Sequence, residues 1–437
     1  MSRISVTSEL HEVAGGIARQ RVIDLVRAAL FIGTLLLVWI TLKPFADLGE
    51  YEIGDFSTGH DLWSYVIFAV LAVAAVLIAA QDSTRGLASL LTMPYILFAG
   101  WLLLTSLYSS DPGTSMRRFT LTACVLAVAA SMPLLARSQH ELMRWFSVAA
   151  LGLLAACYLG LLLAPYFSIH QVTDPQEPLL AGDWRGTFGH KNVAAGIMAM
   201  LLFLGIWIVR RGAWISGAAI IGLATLFLFH AGGKSALTLC AAVLLLTSLT
   251  SVVPWFWLRA VMLLTPLALL NLLSVGTVAS DTLASLAKLL PFDSTFTGRI
   301  DIWTFALESL QQRLATGYGY QAFWGSGVLQ DLREGKEWTV LASHSHNGYL
   351  DTALGTGLPG LILLILVLVV GPLRDFHKAD RGGNGGPLAM AMLRIWLFAL
   401  YLASMESFFL DRADPTWFTL LLAVFCLHYL ARFRATA

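Results

Sequence analysis

The sequence predicts an all-α, polytopic membrane protein of about twelve transmembrane helices, with one long outer loop that contains an amphipathic helix. Hydrophobic residues make up 57% of the 437 residues, and charged residues only 13%. The mean hydropathy is +0.73, whereas soluble domains carry about 25% charged residues. Apolar runs of about 18 residues or more, each long enough to cross a hydrocarbon core of about 30 Å, recur along nearly the whole chain.

These runs divide the chain into two helical regions and one long connection. We expect a cytoplasmic tail at 1–21, helices one to nine within 22–279, a periplasmic loop at 280–346, helices ten to twelve within 347–432 and a cytoplasmic tail at 433–437. The first run has no small-x-small cleavage site after it and is interpreted as a retained helix. The twelve apolar segments lie near 22–42, 62–80, 87–108, 119–136, 144–166, 192–209, 213–230, 235–253, 257–279, 348–372, 388–406 and 415–431.

Lysine and arginine positions predict the orientation, because basic residues of short loops stay on the cytoplasmic side. With the N-terminus inside, fifteen basic residues fall on inner flanks: Arg3, Arg19, Arg21, Arg27, Arg85, Arg137, Arg144, Arg210, Arg211, Arg259, Arg374, Lys378, Arg381, Arg432 and Arg434. Seven fall in short outer loops: Lys43, Arg117, Arg118, Arg185, Lys191, Lys234 and Arg412. Both termini are therefore expected in the cytoplasm, with 280–346 on the outer, periplasm-like side.

The long loop is where chemistry is expected, since only this connection is long enough to hold structure of its own. Within it GRIDIWTFALESLQQR predicts an amphipathic helix, with an apolar stripe formed by Ile300, Trp303, Leu307 and Leu310. TGYGYQAFWGSG then ends that helix with glycines and a cluster of aromatic residues. The four cysteines lie inside apolar runs and predict neither a disulfide nor a zinc framework. We expect no cofactor, no metal and no nucleic-acid partner.

Basic residues cluster where the outer loops meet helix starts. Arg185, His190 and Lys191 precede the sixth helix, Lys234 lies in the turn before the eighth, and Arg299 lies in the long loop. Each has a structural alternative: Arg185 capping carbonyls or pairing with Asp183, Arg299 pairing within its own helix, and Arg118, placed before the fourth helix, reaching headgroup phosphates. Together they favour a phosphate or diphosphate ligand, because helix N-termini and guanidinium groups both bind such anions.

The segment ASHSHNGYLDTALGTGLPG places two histidines at the start of the tenth helix. If Asn347 caps that helix, His346 lies at its positive end, where the dipole and nearby cations favour a neutral ring able to accept a proton. His346 is thus a candidate general base, with His344 as a possible supporting residue. The alternative is a capping or interfacial histidine without a chemical role.

RGTFGHKN, GGKSAL, TGRIDIW with GYGYQAFW, and SHSHNGYLDTALGTGLPG resemble, in that order, the landmarks of the O-antigen ligase and polysaccharide polymerase superfamily. The resemblance covers roughly 180–375. Many members have arginine where this chain has Lys234, and the lysine resembles the exopolysaccharide polymerases of the ExoQ type.

This resemblance implies metal-independent glycosyl transfer from an undecaprenyl-diphosphate-linked glycan at the outer face of the bacterial inner membrane. The acceptor is then either lipid A-core, in a ligase, or another lipid-linked glycan, in a polymerase, and other polysaccharide assembly proteins are possible partners. His346 matches the family's histidine, and the residues matching its diphosphate-binding cations are Arg185, Lys191, Lys234 and Arg299. His344, His190, Asn347 and Arg118 are possible supporting residues. With no carboxylate pair in view as a nucleophile, single-step transfer with inversion is expected.

Outside the enzyme class, a transporter or flippase for lipid-linked solutes is the first alternative, and a membrane scaffold the second. A transporter predicts ionisable residues near mid-membrane and broken helices. In this sequence the charges of the apolar segments cluster at their outer ends instead.

Overall fold

The computed structural model describes residues 3–49, 62–174, 177–289, 299–324, 343–411 and 414–433, with side chains from Gln20 onwards. Regular structure in these ranges is helical, apart from one antiparallel bridge between Ile169 and Trp184. Parts of the predicted outer loop, 290–298 and 325–342, and the predicted outer residue Arg412 lie outside the described residues.

Six helices are long and apolar enough to cross a membrane. They are α1 (Arg3–Ile40, apolar from Gln20), α2 (Leu62–Ala88), α4 (Pro112–Leu135), α5 (Gln139–Leu163), α6 (Lys191–Arg210) and α12 (Gly348–Arg381). In α12 one π-helical turn, Leu366–Val370, interrupts the α-helix. These helices confirm a polytopic α-helical membrane protein.

Six further apolar helices are shorter. They are α3 (Met93–Leu107), α7 (Trp214–His230), α8 (Lys234–Leu249), α9 (Phe256–Leu272), α13 (Pro387–Leu402) and α14 (Pro415–Leu430). At 1.5 Å per residue such helices are shorter than a hydrocarbon core of about 30 Å. Each of the twelve predicted apolar segments overlaps one of the twelve apolar helices, while the number that span the bilayer stays a prediction.

The start of α4 differs from the prediction. The helix begins at Pro112, where proline suits the first turn, and the Asp111 side chain accepts the backbone N–H of Thr114. The helix therefore begins seven residues before the predicted 119. Arg117 and Arg118 consequently lie inside the helix, and the expectation that they precede it was wrong.

The long connection at 280–346 contributes α10 (Asp281–Lys288) and α11 (Arg299–Gln312), and α11 is a helix where the sequence predicted one. Trp303, Phe305 and Leu310 are buried against the first half of α12, whereas Ile300 is 37% exposed, so the apolar stripe is rotated from the predicted one. Trp303, Tyr318, Tyr320 and Phe323 are all at most 2% exposed. These aromatic side chains therefore pack the loop.

A break in α12 is filled by the segment that follows α11. Gly357 has φ +70°, and a Cβ there would lie 2.5 Å from the carbonyl oxygen of Ala315, so the close approach requires glycine. The N–H of Leu358 donates to the carbonyl of Leu314 at 2.8 Å. In a transporter, broken helices are expected to line a cavity. In this protein the backbone of the segment after α11 occupies the break in α12.

Polar contacts fasten the other end of the bundle. Arg27 in α1 pairs with Asp82 in α2 at 2.5 Å. Asp375 in α12 accepts from Arg432 at 2.9 Å and lies 3.4 Å from the ring of His428 in α14. These pairs join α1 to α2 and α12 to α14, and so stabilise the packing of the bundle.

Candidate active site

Three helix N-termini meet at one end of the bundle. α6 begins at Lys191, α8 at Lys234 and α12 at Gly348. The Asn347 side chain accepts the N–H groups of Tyr349 and Leu350, so the prediction that Asn347 caps this helix is confirmed. The helix dipoles give this end a partial positive charge that attracts anions.

Glu406, in the turn between α13 and α14, is the centre of the site. Its Oε1 accepts from Asn192 Nδ2 at 2.9 Å and from the Arg299 guanidinium at 3.3 Å. Its Oε2 lies 3.7 Å from His346 Nδ1. Arg299 also donates to the carbonyl of Met405 at 2.8 Å. The Glu406 carboxylate therefore lies against both His346, the predicted base, and Arg299, one of the residues predicted to bind the diphosphate.

His346 is held in an unusual backbone conformation. Its φ of +54° lies in the left-handed region, a conformation that costs residues other than glycine about 1 kcal/mol or more. Its backbone N–H donates to His344 Nδ1 at 3.3 Å, and the two rings meet edge to face with centroids 4.2 Å apart. The turn thus directs the His346 ring toward Glu406 instead of along the helix.

Two groups beside His346 have shifted pKa values. Burial, the neighbouring His346 ring and Arg299 lower the pKa of His344 to about 3, so its ring is neutral at neutral pH. Burial alone would raise the pKa of Glu406, but the His346 ring and the Arg299 guanidinium more than offset this and hold that pKa below its usual value. The site therefore combines a neutral imidazole with an ionised carboxylate.

Buried hydrogen bonds hold the histidine turn from below. Trp303 Nε1 in α11 donates to the carbonyl of Ser345 at 2.8 Å. Asp351 in α12 accepts the N–H of Ser345 at 3.1 Å and the indole N–H of Trp324 at 2.8 Å. Because the donor Trp303 lies on α11 and the acceptor Asp351 lies on α12, the position of His346 depends on how α11 packs on α12.

Lys191 and the turn before Lys234 lie on either side of the same residue, Asp183. Lys191 Nζ pairs with Asp183 at 2.5 Å. The turn before Lys234 wraps around this residue, since a Cβ on Gly232 would lie 2.6 Å from Asp183 Oδ1. The Lys234 side chain is exposed, and no described carboxylate lies within 4.0 Å of its ammonium group. Lys234 is thus better placed than Lys191 to meet an external anion.

Arg185 is 2% exposed and lies beneath the surface. It donates to the carbonyls of Phe188 at 3.2 Å and Ala46 at 2.7 Å. This is the capping alternative that the sequence allowed. Its role toward a diphosphate stays a prediction, and the described contacts do not place its guanidinium beside His346.

His190 caps α6. Its Nδ1 accepts the N–H of Asn192 at 3.1 Å, so the proton is on Nε2, which donates to Glu177 at 2.7 Å. The His190 contact lowers the pKa of Glu177 despite its burial. His190 therefore fixes Asn192, and through it Glu406, and acts on the site indirectly.

Arg118 lies on a separate flank. It donates to the carbonyl of Gln321, and the Gln321 amide in turn donates to the carbonyl of Leu410. Tyr320, the preceding residue, bonds Thr122 of α4 at 2.7 Å. Arg118 therefore anchors the loop after α11 to the turn that carries Glu406.

Sequence reasoning missed Glu406. The signal was an acidic residue in SMESFFLDRADP, a short turn between two apolar helices at the end where the cations were expected. An acidic residue is costly beside a proposed anion site unless it orients a cation or a histidine. Its partners, however, lie 60 or more positions away in the chain, so their identity was not readable from the turn.

Two comparisons with known proteins support the resemblance. Residues 217–365 match the sequence model of the family described as O-antigen ligase. The chain is also 27% identical over 251 residues to the exopolysaccharide production protein ExoQ of Rhizobium meliloti (strain 1021). That alignment covers 53% of this chain and 55% of the relative, so the chain spans about half the length of the curated relative that it matches.

The matched region contains much of the candidate site. Lys234, Arg299, His344, His346 and Asn347 fall within 217–365, whereas Glu406 lies beyond it. The order of motifs, the polytopic helical fold and both matches agree. Over 217–365 the chain is therefore similar to proteins of the O-antigen ligase family.

Proposed function

We propose that the protein is an inner-membrane glycosyltransferase that extends a polysaccharide on the periplasmic side. The donor is a glycan on undecaprenyl diphosphate, and the acceptor is a sugar hydroxyl of a second lipid-linked glycan. The observation that carries the proposal is the Glu406 carboxylate, which joins Arg299 to His346 where three helix N-termini meet. Similarity to an exopolysaccharide production protein favours a polymerase over a lipid A-core ligase.

The donor half of the reaction needs stabilised negative charge. The bond between the anomeric carbon and the diphosphate oxygen breaks, and the diphosphate leaves with its electron pair. Lys234, Arg299 and the dipoles of α6, α8 and α12, whose N-termini lie at that end of the bundle, supply the positive charge there. Such preorganised charge lowers the barrier without reorganisation during the reaction.

The acceptor half needs a base. As the acceptor oxygen bonds to the anomeric carbon, its proton passes to His346, and the resulting imidazolium is stabilised by Glu406. His344 supports the turn as a neutral ring. Because Glu406 is engaged by Asn192 and Arg299, it is poorly placed as a covalent nucleophile, which favours a single displacement with inversion.

An apolar groove beside the site suits the isoprenoid chain of the donor. It has a volume of about 270 Å³ and is lined by residues of α3, α4, α12 and α14, including Ala123 and Trp417. Leu410 lines its end, next to the loop that Arg118 anchors. An undecaprenyl chain in this groove would leave its diphosphate beside the turn that carries Glu406.

The groove leads to a specific expectation. Ala123→Trp, which fills the groove, should raise the donor KM about tenfold or more, since two buried methylenes already contribute about 1.6 kcal/mol. Ala155→Trp, on an exposed face of α5 outside the groove, should leave the KM unchanged. Steady-state kinetics in proteoliposomes compares the two. Equal KM values for the two variants would mean that the isoprenoid chain of the donor does not bind in this groove.

The function itself is tested by reconstitution. Purified protein in proteoliposomes receives an undecaprenyl-diphosphate repeat unit alone, or the same donor with lipid A-core. The proposal expects a ladder of extended lipid-linked glycans with the donor alone. Products found only with lipid A-core would make the protein a ligase. Donor that crosses the bilayer without any new glycosidic bond would indicate a transporter.

A further inference from the structure

Arg394 is a buried arginine with little internal compensation. It lies in the second turn of α13 and is 6% exposed. Its Nε donates to the Thr247 hydroxyl of α8 at 3.1 Å, and that hydroxyl donates in turn to the carbonyl of Val243. Among the described residues no carboxylate lies within 4.0 Å of its guanidinium, and the other four N–H groups have no partner there.

Other buried arginines of the bundle are compensated differently. Arg27 pairs with Asp82 at 2.5 Å, and Arg259 pairs with Asp380 at 2.6 Å. Arg259 also donates to two backbone carbonyls. Removing a charge from water costs several kcal/mol unless a partner offsets it. Arg394 has neither a carboxylate nor a backbone carbonyl among its described partners, and its charge is therefore little compensated by them.

A second arginine lies beside it. Phe203 of α6 contacts Phe398 of α13, and Gly196 contacts Leu402, so these two helices pack antiparallel. Arg210 is seven residues after Phe203 and so lies on the same face of α6, toward the part of α13 that carries Arg394. Arg210 is close enough to repel the Arg394 charge. Two cations thus share the junction of α6, α8 and α13.

The helices of this junction belong to the membrane bundle. Thr247 lies on the buried face of α8, whereas Leu245 and Leu249 are 64% and 41% exposed on the opposite face of that helix. Exposed leucines on a membrane helix are suited to contact acyl chains. The junction thus offers guanidinium N–H groups for a phosphate, within a bundle that acyl chains surround.

We propose that the junction of α6, α8 and α13 binds the phosphate group of an anionic phospholipid, with Arg394 as the principal ligand and Arg210 as a second. This site is separate from the glycosyl-transfer site, because Arg394 lies about 12 Å along α13 before its end at Leu402, and Glu406 lies in the turn beyond that end. A bound phosphate supplies the counter-charge that Arg394 lacks, and locks three helices together.

Native mass spectrometry of the full-length protein in neutral detergent tests this site. Phosphatidylglycerol should bind more tightly than phosphatidylcholine, and Arg394→Gln should weaken phosphatidylglycerol binding about tenfold. Arg394→Lys should keep most of the preference. The matched control is Arg211→Gln, which removes the same charge from the exposed end of α6 and should change affinity less than about twofold.

Each other outcome counts against the proposal. Equal losses in the Arg394→Gln and Arg211→Gln variants would indicate general surface attraction. Displacement of the lipid by inorganic phosphate alone would make the ligand a soluble anion. If the Arg394→Gln variant does not fold, the Arg210→Gln variant tests the site instead. An unchanged preference for phosphatidylglycerol in that variant would rule out the proposed site.

Discussion

His346→Ala should lower the rate of glycosyl transfer by about 100- to 10,000-fold, the usual contribution of a general base. The His346 ring lies 3.7 Å from Glu406 Oε2. Alanine at this position leaves no side chain that could accept the proton of the acceptor hydroxyl. Donor binding should change little, because the fixed cations remain. Single-turnover transfer and donor affinity, both measured in proteoliposomes, separate these effects.

Two variants test the specificity of this result. His140→Ala, an exposed histidine at the start of α5, should retain full activity. His344→Gln should lower the rate but keep the pH at which activity falls, because the pKa of His344, about 3, lies well below the neutral range. If His346→Ala keeps activity within about threefold, His346 is not the base.

Glu406→Gln should lower kcat by about 10- to 100-fold, because hydrogen bonds to charged groups contribute about 1.5–3 kcal/mol. Glutamine still accepts from Asn192, but it no longer balances Arg299 or stabilises a protonated His346. The substitution should change kcat more than KM, because Glu406 stabilises His346 most strongly once His346 has accepted the proton. Asp281→Asn, an exposed acidic residue at the start of α10, is the charge-matched control.

The same residue predicts how stability depends on pH. The pKa of Glu406 is lowered in the folded protein, so its stabilising contribution is complete above the usual carboxyl value of 4.5 and is lost as pH falls through the lower folded value. As pH falls below about 4.5, the thermal unfolding temperature in detergent should therefore drop more in the wild type than in Glu406→Gln. Identical pH dependence of the two would mean that Glu406 is not held by these charges.

Much of the helical scaffold was predictable because its causes are local. A run of apolar residues long enough for a bilayer must form a helix to satisfy its backbone, whatever surrounds it. The α11 segment was predictable from its apolar spacing, and Asn347 from its place directly before an apolar run. Helix starts were less certain, as at Pro112, because a proline and a capping aspartate extended α4 beyond its apolar part.

The sequence by itself determined that this chain is a multi-pass helical membrane protein with basic residues and histidines at one end, because hydropathy and helix capping act over a few residues. Only the tertiary structure decided which of those residues work together. It buried Arg185 against backbone carbonyls and paired Lys191 with Asp183. It also brought Glu406 to Arg299, 107 positions away, through packing of helices that no local pattern encodes.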